Sequence, residues 1–339
     1  MSIVYTFTKR FIFVLLIILA LIAAFEFFIS RESVSDNLET PKLSETQDTF
    51  KIVTFNVGLL DLRYFGVTVF KPADFVEERF VKLAPALKAL DADIVALQEV
   101  YETDHITKLL ADVQDVYPYS FYKESAVFRL NNGLVLLSKF PLRKTGLYPI
   151  EAGPIDETVF GSKAAMSVVV KLDEERELSL INIHPTSGGT LDVQDSAAIM
   201  EDRRLQLEQA HQLDVQNNIK YSMILGDYNT SPKIASANYE YLKQYGYVDA
   251  YARYCGEHNC SLSMTWDPDN PLNIGSTHAD SLTQRIDHIF LSSNLTKASE
   301  VRKAEVIFSD PVVEIEGKGV VPISDHYGVA IELYLPAKK

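Results

Sequence analysis

Short apolar runs that end in polar residues recur along this chain. The run Phe50-Lys-Ile-Val-Thr-Phe-Asn-Val57 alternates and is rich in β-branched residues, which predicts a strand with Asn56 near its end. The run Ile94–Glu99 repeats the pattern, and Met223–Thr230 ends in Gly-Asp-Tyr-Asn. Because functional groups collect where strands end, this pattern favours an α/β enzyme with a polar rim.

The remaining elements follow from the same periodicities. Further strands are predicted at 132–138, 163–172, 178–183, 285–291 and 323–335. Apolar positions at helical spacing predict helices over 75–90, 195–216 and 235–247. The stretch 256–283 is rich in Pro, Asn, Asp and Gly, so we expect an extended loop there.

The N-terminus has the composition of a membrane anchor. Residues 11–29 are apolar except for Glu26, and about 20 such residues suffice to cross a bilayer. Basic residues precede this span and a polar, mostly acidic linker at 30–49 follows it, which places residues 1–10 in the cytoplasm. The alternative is a cleaved signal peptide, for which Ala23 and Ala24 offer small residues but no clean cleavage site. Either way, the domain at 50–339 is expected on the extracytoplasmic side, in the first case as a single-pass membrane protein.

Net charge bears on the partner. The chain carries a formal net charge of −14, which repels a polyanion on average and argues against a broad DNA-binding surface. One local group of basic residues is enough for a small anionic substrate but thin for a duplex. Its members are Arg129, Lys139, Arg143, Lys144 and Lys163.

Two cysteines fit an exported domain. Cys255 and Cys260 are separated by four residues, and an exported pair at this spacing is expected to close a small disulfide loop. A zinc site that also uses His258 is the alternative, although it has three nearby ligands where four are usual.

The polar residues at strand ends define candidate chemistry. Carboxylates suit Mg²⁺, whereas histidines and asparagines suit the negative charge that develops on a phosphoryl group. A phosphate-binding Gly-rich loop and a nucleophile elbow are both missing from the sequence. The set comprises Asn56, Glu99, His184, Asp227, Asn229, Asp287, Asp325 and His326.

The order of these motifs resembles the endonuclease/exonuclease/phosphatase superfamily. The matching blocks run over roughly residues 50 to 336: Phe-Asn, Leu-Gln-Glu-Val, Gly-Leu-Val-Leu-Leu-Ser-Lys, Asn-x-His, Gly-Asp-Tyr-Asn, Arg-Ile-Asp-His and Ser-Asp-His-Tyr-Gly. The resemblance implies a four-layer sandwich of two β-sheets flanked by helices, with a divalent metal between the sheets.

The resemblance also implies roles for the site residues. Glu99 would be the main metal ligand, with Asn56 beside it and Asp325 supporting metal or water. Asp227 would orient or activate the attacking water, and Asn229 would hold phosphate. His184 would stabilise the transition state, while His326, steered by Asp287, would bind or protonate the phosphoryl group.

Within the superfamily, the sequence is most similar to the neutral sphingomyelinase branch. The shared blocks are Asn132 to Lys139, Lys163, and Asp202-Arg-Arg-Leu-Gln206, and they imply substrate contacts by Asn132 and Lys163. The chain departs from the family at Pro185, where Leu is usual, and at His288, where Tyr is frequent.

We therefore expect a membrane-anchored phosphodiesterase, dependent on Mg²⁺ or alternatively Mn²⁺, that hydrolyses a phospholipid head-group ester. The apolar segment 147–160 is expected either to touch the bilayer or to be a half-buried connection. An exported nuclease and a phosphoinositide phosphatase are the alternatives within the same chemistry. A binding module without catalysis is disfavoured because every acidic and histidine position is filled.

Overall fold

The computed structural model describes residues 9–21, 32–34, 47–64, 67–124, 130–188, 196–276 and 282–337. Helix α1 covers residues 9–21 and so includes the first part of the anchor predicted at 11–29. The rest of that anchor, 22–29, lies outside the described part of the chain. Among the residues that are described, none of the helices combines the length and the apolar character that a bilayer crossing requires.

Most strands belong to two large sheets. Sheet I has the order β1-β6-β7-β5-β2-β17-β14 and consists of β1 (Glu32–Val34), β2 (Thr49–Asn56), β5 (Ile94–Gln98), β6 (Tyr119–Lys123), β7 (Val135–Ser138), β14 (Glu300–Ile307) and β17 (Gly328–Tyr334). Sheet II has the order β12-β13-β11-β10-β9-β8 and consists of β8 (Leu142–Pro149), β9 (Ala164–Lys171), β10 (Glu177–Ile183), β11 (Tyr221–Asp227), β12 (Val248–Asp249) and β13 (Asp287–Leu291). Two hairpins lie outside them: β3 (Leu62–Tyr64) with β4 (Val67–Phe70), and β15 (Val313–Ile315) with β16 (Gly319–Val321).

The helices lie between the strands in sequence. They are α2 (Val76–Leu90), α3 (Thr103–Val113), α4 (Ala197–Asn217), α5 (Ser236–Tyr241), α6 (Ala250–His258) and α7 (Ser293–Ala298), with a π-helical turn at Asp156–Phe160 and a 3₁₀ turn at Leu242–Tyr245. The first predicted helix ends at Asp91, whose backbone is left-handed and closes the last turn through a bond to the Lys88 carbonyl.

Three apolar clusters explain the layering. The inward residues of both sheets, such as Ile52 and Leu225, form one core between them. Helices α2 and α3 cover the outer face of sheet I, and α4 and α5 cover the outer face of sheet II. Both faces of each sheet are therefore covered. Because alternate side chains of a strand point to opposite faces, the central strands are apolar at successive positions. The predicted mixed α/β architecture, with two sheets flanked by helices, is confirmed.

Two local predictions were wrong. The expected loop at 256–283 begins inside α6, whose first turn is capped by the Asp249 side chain. The last strand starts at Gly328 and not at 323, because Ser324 Oγ accepts from the His326 amide and the Tyr327 amide bonds Thr265 O. In the segment 147–160, which was expected either to touch the bilayer or to be a half-buried connection, residues 147–149 belong to β8, Ile150 is buried, and most of 151–158 is half-buried.

Candidate active site

The inward face of the central strands changes from apolar to polar toward one edge. In β2, inward Ile52 is followed by Asn56, and in β11 inward Leu225 is followed by Asp227. β2 runs parallel to β5 and β10 runs parallel to β11, so their carboxyl ends meet at this edge. Antiparallel pairing places the first residue of β13, Asp287, opposite Asp227. The strand register therefore gathers residues that lie far apart in the sequence.

Asn56 joins the two sheets at this edge. Its Nδ2 donates to Glu99 Oε1 at 3.0 Å and to Asp227 Oδ2 at 2.9 Å. Its Oδ1 accepts from the Gly58 amide, and its carbonyl accepts from Ser324 Oγ. Asn56 therefore acts as a rigid bridge between two carboxylates that like charge would otherwise push apart.

Glu99 lies directly after β5 with a left-handed backbone, φ 62°. A non-glycine residue adopts this conformation only when its surroundings impose it, and such strain is concentrated at functional sites. Burial, together with the negative charge of Asp325, raises the pKa of Glu99 to about 7. Its side chain is 17% exposed, so it lies at the open side of the cluster.

His184 faces the same two carboxylates. Its Nε2 lies 3.8 Å from Glu99 Oε1 and 3.5 Å from Asp227 Oδ2. Burial and the positive charge of Lys163 lower the pKa of His184 to about 3, so the ring is neutral near pH 7. Within the described part of the chain, its buried Nδ1 has no hydrogen-bond partner.

Asp287 and His326 form a buried pair. His326 Nδ1 lies 3.1 Å from Asp287 Oδ2, and its Nε2 lies 3.8 Å from Asp227 Oδ2. Burial opposes a charge on His326, but Asp287 and Asp227 outweigh it and hold the pKa of this imidazole well above its ordinary value. Burial raises the pKa of Asp287 to about 6. Thr265 accepts from the Asp287 amide, which helps to fix this segment.

Asp227 lies at the centre of the cluster. Burial disfavours its charge, but His326 and His184 together lower its pKa. Because His184 is neutral near pH 7, the His326 imidazolium is the cation that matters. One ligand atom each of Asp227, Asp287 and His326 lie within 4.8 Å of one another, a spacing at which such groups can hold a metal ion.

The Asp325 carboxylate packs closely against the backbone of Gly58. The Gly58 backbone has φ 56°, and a Cβ built on it would lie 2.0 Å from Asp325 Oδ1. Ser324 Oγ donates to the same carboxylate oxygen at 3.1 Å. The segment after β2 and the segment before β17 are therefore in close contact, which brings Asp325 beside Asn56.

Asn229 and Lys163, which were predicted to contact phosphate and substrate, bind the backbone of Pro185 instead. Asn229 Nδ2 and Lys163 Nζ both donate to the Pro185 carbonyl, at 3.0 and 2.9 Å. Lys163 also pairs with Glu157 at 2.8 Å. The Asp227 carboxylate accepts from the Asn229 amide, so Asn229 remains beside the cluster even though its side chain faces Pro185.

The segment after His184 is held by two residues, Glu157 and Arg203, for which the motifs predict no role. Glu157 accepts from the Ser187 and Gly188 amides. Arg203 donates to the Thr186 and Ser187 carbonyls. The block Asp202-Arg-Arg-Leu-Gln206 is similar to the sphingomyelinase branch, but nothing in its spacing indicates that Arg203 supports this loop.

Asn132 lies just before β7, next to Gly133, whose Cβ position would be 3.2 Å from the Glu99 amide nitrogen. Its Oδ1 accepts from the Leu134 amide, and the neighbouring Val100 amide bonds the Gly133 carbonyl. Its buried Nδ2 finds no hydrogen-bond partner among the described residues.

The Cys255 and Cys260 sulfurs are joined in a disulfide that closes the end of α6.

The donor set fits a hard divalent cation. Carboxylate oxygens predominate, and the buried Asp287 Oδ1 has no partner within the described residues. Four carboxylates converge here, namely Glu99, Asp227, Asp287 and Asp325. A bound cation offsets their mutual repulsion, so the composition of the site matches Mg²⁺ better than a soft metal.

Several solved structures have a similar fold, among them the following three. A mutant beta toxin from Staphylococcus aureus with bound magnesium ions is 19% identical, with a TM-score of 0.64 over 85% of this chain and 99% of that chain. Sphingomyelinase C from Streptomyces griseocarneus is 20% identical, with a TM-score of 0.59 over 84% and 99%. TDP2 from D. rerio, complexed with a single-strand DNA product, is 17% identical, with a TM-score of 0.60 over 85% and 99%.

No curated protein sequence matches this chain significantly. The model of the Endonuclease/Exonuclease/phosphatase family matches residues 53–326, which include every candidate site residue from Asn56 to His326. The expected resemblance is confirmed, and the chain belongs to the Endonuclease/Exonuclease/phosphatase family.

Proposed function

We propose that this protein is a membrane-anchored, Mg²⁺-dependent phosphodiesterase that hydrolyses a phospholipid head-group ester by in-line attack of water. The observation that carries the proposal is the cluster in which Asn56 bridges Glu99 and Asp227 while Asp287 holds His326. Its components are those required for metal-assisted hydrolysis of a phosphate ester.

Glu99 and Asp325 are the residues we assign to the metal. Asn56, also predicted as a ligand, turns its amide nitrogen to Glu99 and its oxygen to the Gly58 amide, so it holds Glu99 in place instead. When bound, the cation supplies charge neutralisation for phosphoryl oxygens. Without a metal, the raised pKa of His326 keeps it an imidazolium, which has no free lone pair, so a cation binding there would first have to displace its proton. This favours the side of the cluster that contains Glu99 over the group formed by Asp227, Asp287 and His326.

The other residues act on water and phosphate. Asp227 is ionised and buried, so it is suited to orient the attacking water and accept its proton. The His326 imidazolium, fixed by Asp287, donates to a phosphoryl oxygen. Neutral His184 supplies a further donor where negative charge develops.

The basic residues that were expected to serve an anionic substrate are paired with carboxylates where the structure describes them, and Lys139 and Arg143 lie at the strand ends opposite the site. Lys139 pairs with Asp91, Arg143 with Glu177, and Lys163 with Glu157. Arg129 and the side chain of Lys144 lie outside the described part of the chain. Binding to a DNA duplex depends on free cations that contact phosphates, so this pairing supports a substrate without a polyanionic backbone.

Exposed aliphatic side chains occur on segments attached to the site. Val67 and Val69 are 67% and 63% exposed on the hairpin that follows β2. Ile155 precedes Glu157, and Ile274 follows Asn273, which donates to the Asp325 carbonyl. Apolar groups around a site support contact with lipid, and the apolar run 11–29 would hold the domain at a membrane.

The test uses the chain from about residue 48 onward with sphingomyelin vesicles, lysophospholipids, phosphoinositides and plasmid DNA. We expect Mg²⁺-dependent release of phosphocholine from sphingomyelin that is lost in Glu99→Ala. Failure to turn over any phospholipid, in protein whose folding and Mg²⁺ binding have been verified, would reject the lipid substrate.

A nuclease is the second candidate, because one structure of similar fold was solved with a single-strand DNA product. Plasmid nicking that falls steeply with salt, without lipid hydrolysis, would favour this candidate. Release of inorganic phosphate from phosphoinositides would favour a phosphatase instead.

A further inference from the structure

Arg79 is a buried cation on α2 with no exposed surface. Its guanidinium donates to four backbone carbonyls: Asp74 O at 2.8 Å, Val57 O at 3.0 Å, Ile323 O at 3.0 Å and Gly58 O at 2.5 Å. Within the described part of the chain, no carboxylate lies within hydrogen-bond distance of it. Burying an arginine that neutralises no carboxylate directly costs free energy of folding, so its position needs a structural explanation.

The carbonyls bound by Arg79 belong to the segments that place two site residues. Val57 and Gly58 directly follow Asn56, and Ile323 precedes Ser324 and Asp325. Nη1 contacts both segments, since it donates to Val57 O and Ile323 O. Arg79 therefore fixes the position of Asn56 relative to Asp325 from the side opposite the cluster.

The charge of Arg79 also acts on the cluster. Burial lowers the pKa of Arg79, but the negative charges of Asp325 and Glu99 favour its charged form. A fixed cation behind two carboxylates reduces their repulsion before any metal binds. Preorganised charge of this kind removes the reorganisation that would otherwise accompany binding.

We propose that Arg79 is the positioning residue of the metal site: it clamps the Asn56 and Asp325 segments together through their carbonyls and thereby prepares the carboxylates for a divalent cation. The metal part of this inference rests on the proposed function. Arg79 itself touches neither metal nor substrate, so it is not a catalytic residue.

Arg176 provides a matched control. It too is a buried arginine, 3% exposed, and it donates to the carbonyls of Gln47 and Leu335. Its carboxylate partners, Asp48 and Asp173, have no part in the site. Loss of Arg176 therefore reports what removing a buried arginine does to stability alone.

The experiment is a Mg²⁺ titration of the melting temperature for wild type, Arg79→Met, Arg79→Lys and Arg176→Met, without substrate. We expect Arg79→Met to weaken the Mg²⁺ midpoint about 10- to 100-fold, the range for residues that orient metal ligands. Arg79→Lys keeps the charge and should lose less. Arg176→Met should lower the melting temperature with an unchanged Mg²⁺ midpoint. Equal midpoints for Arg79→Met and Arg176→Met would overturn the proposal.

Hydrogen exchange tests the clamp independently of metal binding. The Gly58 amide bonds Asn56 Oδ1 and the His326 amide bonds Ser324 Oγ. We expect both amides to be protected in the wild type in the presence of a chelator, and to exchange faster in Arg79→Lys even if Arg79→Met does not fold. Rapid exchange in the metal-free wild type would overturn the proposal. A wild type that shows no response to Mg²⁺, but retains this protection, would instead refute the metal dependence in the proposed function.

Discussion

The side-chain amide of Asn56 lies 2.9 Å from the carboxylate of Asp227, although 171 positions separate them in the sequence. This contact joins the end of β2 in sheet I to the end of β11 in sheet II. Because the same amide also holds Glu99, one residue fixes the distance between two carboxylates from different sheets.

Asn56→Ala removes both bonds and so takes one hydrogen-bond donor from each of the two carboxylates, Glu99 and Asp227. We expect activity to fall about 10- to 100-fold and unfolding free energy to fall by about 1–3 kcal/mol. Turnover and chemical denaturation measure the two effects. Thr54→Val is the control on the same strand, since it removes only the Thr54 contact with Gln98. Equal activity loss in both variants would contradict a specific role for Asn56.

Asp287→Asn should act through His326. Without the Asp287 charge, the pKa of His326 falls, and the imidazolium that donates to phosphate is lost at a lower pH. We expect kcat to fall about 10²- to 10⁴-fold, with the basic limb of the pH profile moved to lower pH. A pH profile identical in shape to that of the wild type would contradict this role.

Gly58→Ala tests the close approach of Asp325. The added Cβ would lie 2.0 Å from Asp325 Oδ1, so the carboxylate must move. Gly317→Ala is the matched control, because Gly317 also has positive φ, at 72°, but no heavy atom within 4 Å of its Cβ position. We expect the control to lose about 1 kcal/mol of stability and keep its activity, whereas Gly58→Ala also loses activity. Thermal melting and turnover distinguish them.

Stability without metal should depend on pH through Glu99. Its folded pKa is raised to about 7 from an ordinary 4.5, so the folded state binds this proton more tightly than the unfolded state. The penalty from Glu99 is absent below 4.5 and grows as the pH rises toward 7. Glu99→Gln should therefore gain stability relative to the wild type across this window, on the order of 2 kcal/mol at neutral pH. Melting curves in chelator test this, and a difference independent of pH would refute it.

Reduction of the disulfide should affect stability more than activity. Cys255 and Cys260 are five positions apart, and closing so short a loop contributes about 2 kcal/mol in the chain-entropy treatment. We expect Cys255→Ser with Cys260→Ser to lower the melting temperature while turnover at low temperature stays within about twofold. A large loss of turnover in folded protein would show that α6 supports the site.

Much of the architecture could be predicted from the chain itself. Alternation and β-branched residues located the central strands, and helical spacing located α2 and α4, because these periods follow from backbone geometry alone. The order of the polar motifs was enough to indicate the family. The membrane anchor and the lipid substrate stay proposals.

The tertiary structure decided which groups meet. Parallel pairing of β2 with β5 and of β10 with β11 brought the strand ends to one edge, and packing of the two sheets then placed Asn56 against Asp227. Periodicity cannot show this, because it gives the direction of each side chain relative to its own strand and carries no information about the facing sheet. For the same reason nothing in the sequence distinguishes Arg79 from an ordinary helical arginine, and only its carbonyl contacts indicate that it supports the site.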